Sequence, residues 1–404
     1  MPDLFVTNFN RNFTGVSATA ANVIRQQMKH RDLALVGYPL PGCPAPISLA
    51  EARKQSRNTG DRPFAIWHVR RNPEMRAGIW ARDVLRLPIR LVFTSAAQRR
   101  HSAYPRWLIS RMDAVIATTP KAAEFVPHVR ATVPHGVDMD LFHPSEDREA
   151  DWRKIGFGGR AGIATIGRIR PEKGTDRFVE AMLRLLPEQP DLTALVLGRA
   201  TREHQAFLDR LKEKIGAAGL SDRLLFPGEI APEDLPPLLR SLSLVMQLPR
   251  YEGYGMAPLE GMASGVPFIA TDAGFYRQFS CNETTGIVLP DEEPESAAKT
   301  AATLLTNTDQ LETMARNARR IAVDTYSARA EADGIEAVYN SLWQQAWHQT
   351  RRSRPAPAFP LAQNTPAGGI ARQRDTPDRT IRPPACGFRR SPPTRNIRPE
   401  SPRR

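Results

Sequence analysis

The sequence predicts an α/β protein built from two parallel sheets that follow one another along the chain. Three observations predict it. Two series of apolar, strand-like runs alternate with helical periods, a polar stretch separates the series, and the chain ends in a basic, Pro-rich stretch with little to bury. The first series falls at residues 4–6, 33–36, 65–68, 91–93 and 114–117, and the second at 161–166, 194–197, 224–226, 242–246 and 267–270. Residues 144–159, polar and Gly-rich toward their end, are expected to link two domains. After Pro290 only helical periods remain, the last over about 328–347 with Ile335, Val338, Leu342 and Trp343 on one face. The expected organisation is a first domain at 1–150, a second at 160–325, a C-terminal helix at 326–349 and a disordered tail at 350–404. With 404 residues, the chain has material for two or three cores, which excludes a single small binding module.

The formal charge of +13 invites a nucleic-acid reading, so its distribution matters. From 351 onward thirteen Arg face only Asp375, Asp378 and Glu400, leaving residues 1–350 with about +3. That stretch also holds eleven of the 36 prolines and lacks aromatic interleaving beyond Phe359 and Phe388, so base stacking has little to use. No nucleic-acid partner is expected. Cys43, Cys281 and Cys386 lie far apart without CxxC spacing, which suggests neither a zinc site nor a disulfide framework and fits a reducing compartment. The start of the chain lacks the basic, apolar character of a signal peptide, and no apolar run reaches the roughly 20 residues of a membrane span. A soluble or peripheral protein is expected.

The strongest local signal is Tyr251-Glu252-Gly253-Tyr254-Gly255-Met256-Ala257-Pro258-Leu259-Glu260. Here a Gly-rich loop runs into a helix that starts near Met256, and such a terminus offers free N–H groups and a positive dipole end to a diphosphate. Glu252 and Glu260 are spaced to reach one crevice, and carboxylates suit sugar and ribose hydroxyls. Alternatively, Glu260 complements its helix dipole and Glu252 is a solvated loop residue. The second signal is Gly167-Arg168-Ile169-Arg170-Pro171-Glu172-Lys173-Gly174-Thr175, directly after the first strand of the second series. Arg168 and Lys173 leave the end of the sheet where such folds bind ligands and could neutralise a leaving diphosphate; otherwise they form a solvated basic turn. Lys173-Gly174-Thr175 reverses the order of a P-loop, and Gly156-Phe157-Gly158-Gly159 precedes a strand where a dinucleotide fingerprint would follow one.

Together with Pro134-His135-Gly136-Val137-Asp138-Met139-Asp140-Leu141-Phe142-His143-Pro144, these segments resemble the hallmark motifs of glycosyltransferase family 4 over residues 1–349. The resemblance implies the GT-B fold, two facing Rossmann-like domains, and sugar transfer with retention, the first domain binding acceptor and the second the nucleotide sugar. It implies that Arg168 and Lys173 hold the donor diphosphate, that Glu252 contacts the transferred sugar, and that Glu260 binds the ribose. Gly253, Tyr254, Gly255 and Met256 would line the donor site, and Gly15 in Asn12-Phe13-Thr14-Gly15-Val16-Ser17 would approach the phosphates from the first domain. Asp138-Met139-Asp140 imitates a metal-binding DxD pair, but the cations take its charge role, so neither a metal nor a cofactor beyond the nucleotide sugar is expected. Where family members often carry a His after the fourth strand, this chain has Thr94-Ser95; His68 and His101 are the nearby candidates for a sugar contact.

Residues 66–75, 93–101 and 111–118 further resemble lipopolysaccharide core mannosyltransferases of Gram-negative bacteria, implying GDP-mannose as donor and a lipid-linked inner core as acceptor. Another family 4 hexosyltransferase with a UDP-sugar, or a GT-B sugar-nucleotide epimerase, is the alternative. Residues 66–111 carry ten Arg against Glu74 and Asp83, with Trp80, Tyr104 and Trp107 among them. Arg99, Arg100, Arg106 and Trp107 are therefore candidates for an acceptor or membrane surface, on an enzyme peripheral to the cytoplasmic face of an anionic membrane. The alternative there is a solvated face with its aromatics buried.

Overall fold

Strands covered on both faces, as in parallel sheets flanked by helices, read as near-continuous apolar runs. The computed structural model describes residues 2–352, with side chains through Trp347, and folds these runs into two six-stranded sheets. The expected tail, from 353 on, lies outside the described residues. The first sheet comprises β1 (Leu4–Asn8), β2 (Leu33–Gly37), β3 (Ala65–Val69), β4 (Ile89–Ser95), β5 (Ala114–Ala117) and β6 (Val129–Thr132), in the order β2-β1-β3-β4-β5-β6. The second comprises β7 (Ala161–Ile166), β8 (Leu192–Leu197), β9 (Leu224–Gly228), β10 (Leu244–Gln247), β11 (Phe268–Ala270) and β12 (Gly286–Val288), in the order β12-β11-β10-β7-β8-β9. Neighbouring strands pair in parallel throughout.

All ten sequence-predicted runs form strands; β6 and β12 were not anticipated. Both lie at sheet edges, and β6 is only partly buried, so neither carries the apolar run that marks a central strand. In each sheet the strand order reverses beside the first strand, between β1 and β3 and between β7 and β10. Crevices open at the carboxyl ends of strands at such reversals, and ligands bind there.

The stretch expected to be a linker carries the helix Arg148–Ile155. Asp147 caps it by accepting from Ala150 N at 2.9 Å, and Gly156 ends it with a left-handed φ of 84°. Its Trp152 is buried against Gly162, where a Cβ would come within 2.2 Å of the indole. The chain crosses between lobes twice, side by side. Val137 N donates to Tyr326 O at 2.9 Å and Ala328 N to Val137 O at 2.8 Å. A Cβ on Gly136 would stand 2.3 Å from Ser327 O, so only glycine allows this approach.

The returning helix, Ala328–Arg352, buries Ile335, Val338, Tyr339, Leu342 and Trp343 against Leu4, Val6 and Ile66 of the first sheet. Trp343 Nε1 donates to Phe64 O at 3.0 Å, and the guanidinium groups of Arg31 and Arg62 cover its ring at 4.9 and 4.2 Å. The last helix therefore packs with the first lobe, not the second that precedes it in sequence. Among the described residues, no helix is long and apolar enough to cross a membrane.

Candidate active site

At the reversal point of the second sheet, Gly167 and Arg168 follow β7, and Pro171–Lys173 forms a 3₁₀ turn. Gly174 then turns left-handed at φ 69°, so tightly that a Cβ would fall 1.8 Å from Leu248 O. That closeness brings the turn against the loop after β10. Glu172 O accepts from Arg250 N at 3.0 Å, and Arg250 grips Asp176 through both carboxylate oxygens at 2.8 and 2.7 Å. Lys173 Nζ thereby reaches Glu252 Oε2 at 2.6 Å, while Glu252 Oε1 accepts from Gly253 N at 2.8 Å. Two motifs 79 residues apart meet in one half-buried ion pair. Arg168 is exposed, with no ion pair among the described residues.

The loop continues through Gly255, at φ 104° and packed so that a Cβ would strike Tyr276, into the helix Met256–Ala263. Among the described residues no side chain caps that helix, which leaves its first amides without a side-chain acceptor. One turn in, Glu260 is only 9% exposed and makes no side-chain hydrogen bond among the described residues; burial pushes its carboxyl up to about 7. Tyr254 does not offer its side chain to a ligand. Its hydroxyl donates to His135 O at 2.9 Å, and its ring stacks on Phe275 at 5.5 Å, a phenol in an aromatic cluster with its one proton already used. At Tyr254 only the backbone is left to line the crevice.

On the first lobe, Gly15 opens the helix Gly15–Gln27 and is exposed, with open space where a Cβ would stand. The loop before it is fastened by Arg71, which donates to Thr14 Oγ1 at 3.2 Å, Ser17 Oγ at 2.9 Å and Asn8 Oδ1 at 3.0 Å. Arg71 is held in turn by Glu74, a fully buried carboxylate that also accepts from Thr7 Oγ1 and from the amides of Phe9, Arg70 and Arg71.

His68 is fully buried, with Nε2 2.7 Å from Thr94 Oγ1 and Nδ1 against the Tyr339 hydroxyl. Burial, then the charge of Arg70, holds its pKa well below the ordinary value. Both ring nitrogens are engaged under the last helix, so His68 is a neutral core residue and the expectation of a sugar contact fails for it. His101 is different. It is half-buried on the loop after β4, and its Nε2 is buried with no hydrogen-bond partner among the described residues. Asp138 is also engaged, with Arg25 at 3.2 Å and the amide of Asp140 at 3.1 Å, which makes it a brace of the crossing. Arg99, Arg100, Arg106 and Trp107 are exposed.

The family model for glycosyl transferases group 1 matches residues 147–321, the second lobe and its preceding helix. Over 351 residues the chain is 40% identical to the lipopolysaccharide core biosynthesis mannosyltransferase LpcC of Rhizobium leguminosarum bv. viciae, covering 85% of this chain and 98% of that protein. The chain belongs to the group 1 glycosyl transferases. The core mannosyltransferase LpsB of Rhizobium meliloti (strain 1021) is 36% identical, with 84% of this chain and 97% of that protein covered. Among solved structures, Anabaena HepE in complex with UDP and glucose matches the fold at TM-score 0.71 and 17% identity, over 84% of this chain and all of that one. The two lobes are the GT-B fold.

In this glycosyltransferase the crevice combines two cations, an uncapped helix terminus and two carboxylates of contrasting character. The cations and amides can take a diphosphate. Glu252, ion-paired, can take hydroxyls as a charged acceptor, and Glu260 as a group poised between acid and carboxylate. The sequence reading missed Arg71 and Glu74, because Arg71-Asn72-Pro73-Glu74 looks like an ordinary helix start with an acid in its first turn. It also missed Gln98, which reaches the Glu252 loop from the first lobe and carries no motif of its own.

Proposed function

We propose that this glycosyltransferase moves mannose from GDP-mannose, with retention, onto the inner core of a lipid-linked lipopolysaccharide precursor at the cytoplasmic face of the membrane. The observation that carries the reading is that the similarity to two lipopolysaccharide core mannosyltransferases runs through both lobes, at 98% and 97% of their lengths. It therefore includes the lobe that would choose the acceptor, where a donor-site motif alone would not reach.

In this reading the donor diphosphate lies between Arg168, Lys173 and the amides at the start of the helix Met256–Ala263, while Gly15 leaves room for it on the first lobe. Its charge is met by two cations and a helix dipole, so transfer needs no divalent metal. Lys173 is held ready by Glu252 and turns to the phosphates as they enter. Glu252 then faces the transferred sugar, Glu260 accepts from the ribose, and His101 is the nearer of the two histidines to a sugar contact. The lobe that meets the acceptor presents exposed aromatics among arginines, which suits a glycolipid embedded in an anionic leaflet.

The test is transfer from a panel of GDP- and UDP-sugars to lipid A bearing inner-core sugars, run with and without EDTA. Mannosyl transfer from GDP-mannose, unchanged by the chelator, is the expected result. Transfer from a UDP-sugar alone, or epimerised nucleotide sugar as the product, overturns it.

A further inference from the structure

The loop after β4 leaves the first lobe and lands on the donor loop of the second. Gln98 Nε2 donates to Gly253 O at 2.9 Å and to Gly274 O at 3.1 Å. These carbonyls belong to two segments that are themselves joined, since Phe275 N donates to Tyr254 O at 2.8 Å and a Cβ on Gly274 would stand 3.0 Å from Glu252 Cγ. Ala96 O lies 3.1 Å from the place of a Cβ on Gly253, and the Arg99 guanidinium covers the Tyr251 ring at 5.0 Å. Residues 96, 98 and 99 thus grasp both sides of Glu252 without touching its carboxylate.

We infer that Gln98 is a positioning residue: it fixes the Glu252 loop in the geometry of transfer when the lobes are together, acting through the backbone of Gly253 and Gly274. The inference rests on the proposed transfer reaction for its role, and on the contact itself for its geometry. The side-chain chemistry is specific. One amide nitrogen offers two hydrogens, so it serves two carbonyls at once, whereas a glutamate of the same shape offers none when ionised and repels both. The loop it holds has glycines at 253 and 255, which leave the backbone free to take other conformations unless something outside fixes it. The donor groups that carry charge or a dipole, Arg168, Lys173, Glu260 and the helix amides, belong to the second lobe. The grip of Gln98 comes from the first lobe and exists only while the lobes are in contact. Its loss therefore lowers turnover more than nucleotide affinity, which it reaches only through the coupling of binding to lobe closure.

The experiment uses the full chain with Gln98→Ala and Gln98→Glu. It measures kcat for transfer, calorimetric Kd for GDP and UDP, thermal stability, and the radius of gyration by solution scattering with and without nucleotide. Expected are a kcat lower by about tenfold to thirtyfold, the scale of two neutral hydrogen bonds, with Gln98→Glu the worse of the two. Melting temperature stays at the wild-type value, bound nucleotide compacts the wild type more than either variant, and nucleotide Kd weakens by less than kcat falls. A kcat within twofold of wild type in both variants overturns the inference, as does a nucleotide Kd that weakens in step with kcat. Scattering needs no acceptor, so the two ideas fail separately. Absent turnover in the wild type counts against the reaction, whereas variants that compact like the wild type count against Gln98.

Discussion

Burial holds the Glu260 carboxyl at about 7, against an ordinary value of 4.5. A raised carboxylate pKa favours the neutral form in the folded state. Its stabilising effect is therefore complete below the unfolded value and is lost as pH rises through the folded one; by pH 8 the charged form costs roughly 3 kcal/mol. Glu260→Gln keeps the shape and removes the titration. The variant is expected to match the wild type in melting temperature near pH 4.5 and to exceed it increasingly up to pH 8, while binding nucleotide more weakly. A gap in melting temperature independent of pH refutes the assignment. The Lys173–Glu252 pair calls for a different expectation, because both side chains keep about a fifth to a quarter of their exposure, and such pairs contribute about 0 to 1 kcal/mol to stability. Lys173→Ala and Arg168→Ala should each cost roughly 2 to 4 kcal/mol in kcat/KM, the scale of one preorganised electrostatic contact. A loss that large cannot come from destabilisation. Wild-type kcat/KM in both variants would remove the diphosphate from this corner.

At the scale of elements, what was legible depended on where the partners of each residue lie. Central strands such as β8, buried along its whole length, announce themselves by an unbroken apolar run. The helix Arg148–Ile155 does not, because Trp152 is its only buried residue and the rest of its sequence looks like a polar connection. The motifs that meet at the crevice were legible because each is contiguous: a strand end, a turn and a helix start carry Arg168, Lys173, Glu252 and Glu260 with them. The contacts that organise those motifs were not. Gln98 meets a carbonyl 155 residues away, and Arg71 fastens a serine 54 residues before it. His68 misled for the complementary reason. Its place at a strand end suggests a ligand, but residues 68 and 94 share the face of the sheet that the last helix covers, and that helix is distant in sequence. A strand alternates its faces; only the tertiary fold decides which of them looks into the crevice.

For the whole molecule, the proposed reaction asks how a nucleotide sugar on one lobe would meet an acceptor held in a membrane. Residues 66–111 carry ten Arg against two acids, and the structure turns the aromatics among them outward: Trp80, Tyr104 and Trp107 are 42%, 50% and 54% exposed. Tyr104 and Trp107 stack on one another at 6.3 Å from the helix Ala103–Ser110, and Arg111 ties that helix to Asp83 beside Trp80. The outcome excludes the alternative of buried aromatics. Amphipathic rings and exposed arginines on one face suit the headgroup level of an anionic leaflet, where each basic residue adds about 1 kcal/mol of attraction. The same stretch contains the loop that Gln98 anchors to the Glu252 loop, so the helix proposed to meet the membrane lies within a few residues of the lobe contact. That proximity dictates the choice of variants. Arg99 stacks on Tyr251 and is left in place; Arg100→Glu with Arg106→Glu, and Trp107→Ala separately, change the outer face alone. Sedimentation with anionic liposomes is expected to weaken by about thirtyfold or more in the double variant, from two lost attractions before any repulsion is counted, and to weaken further as salt is raised. The KM for a lipid acceptor should rise while nucleotide affinity holds. Trp107→Ala should lose binding in a way salt does not restore. Undiminished liposome binding at low salt in all of these variants would leave the basic aromatic face without a membrane to meet.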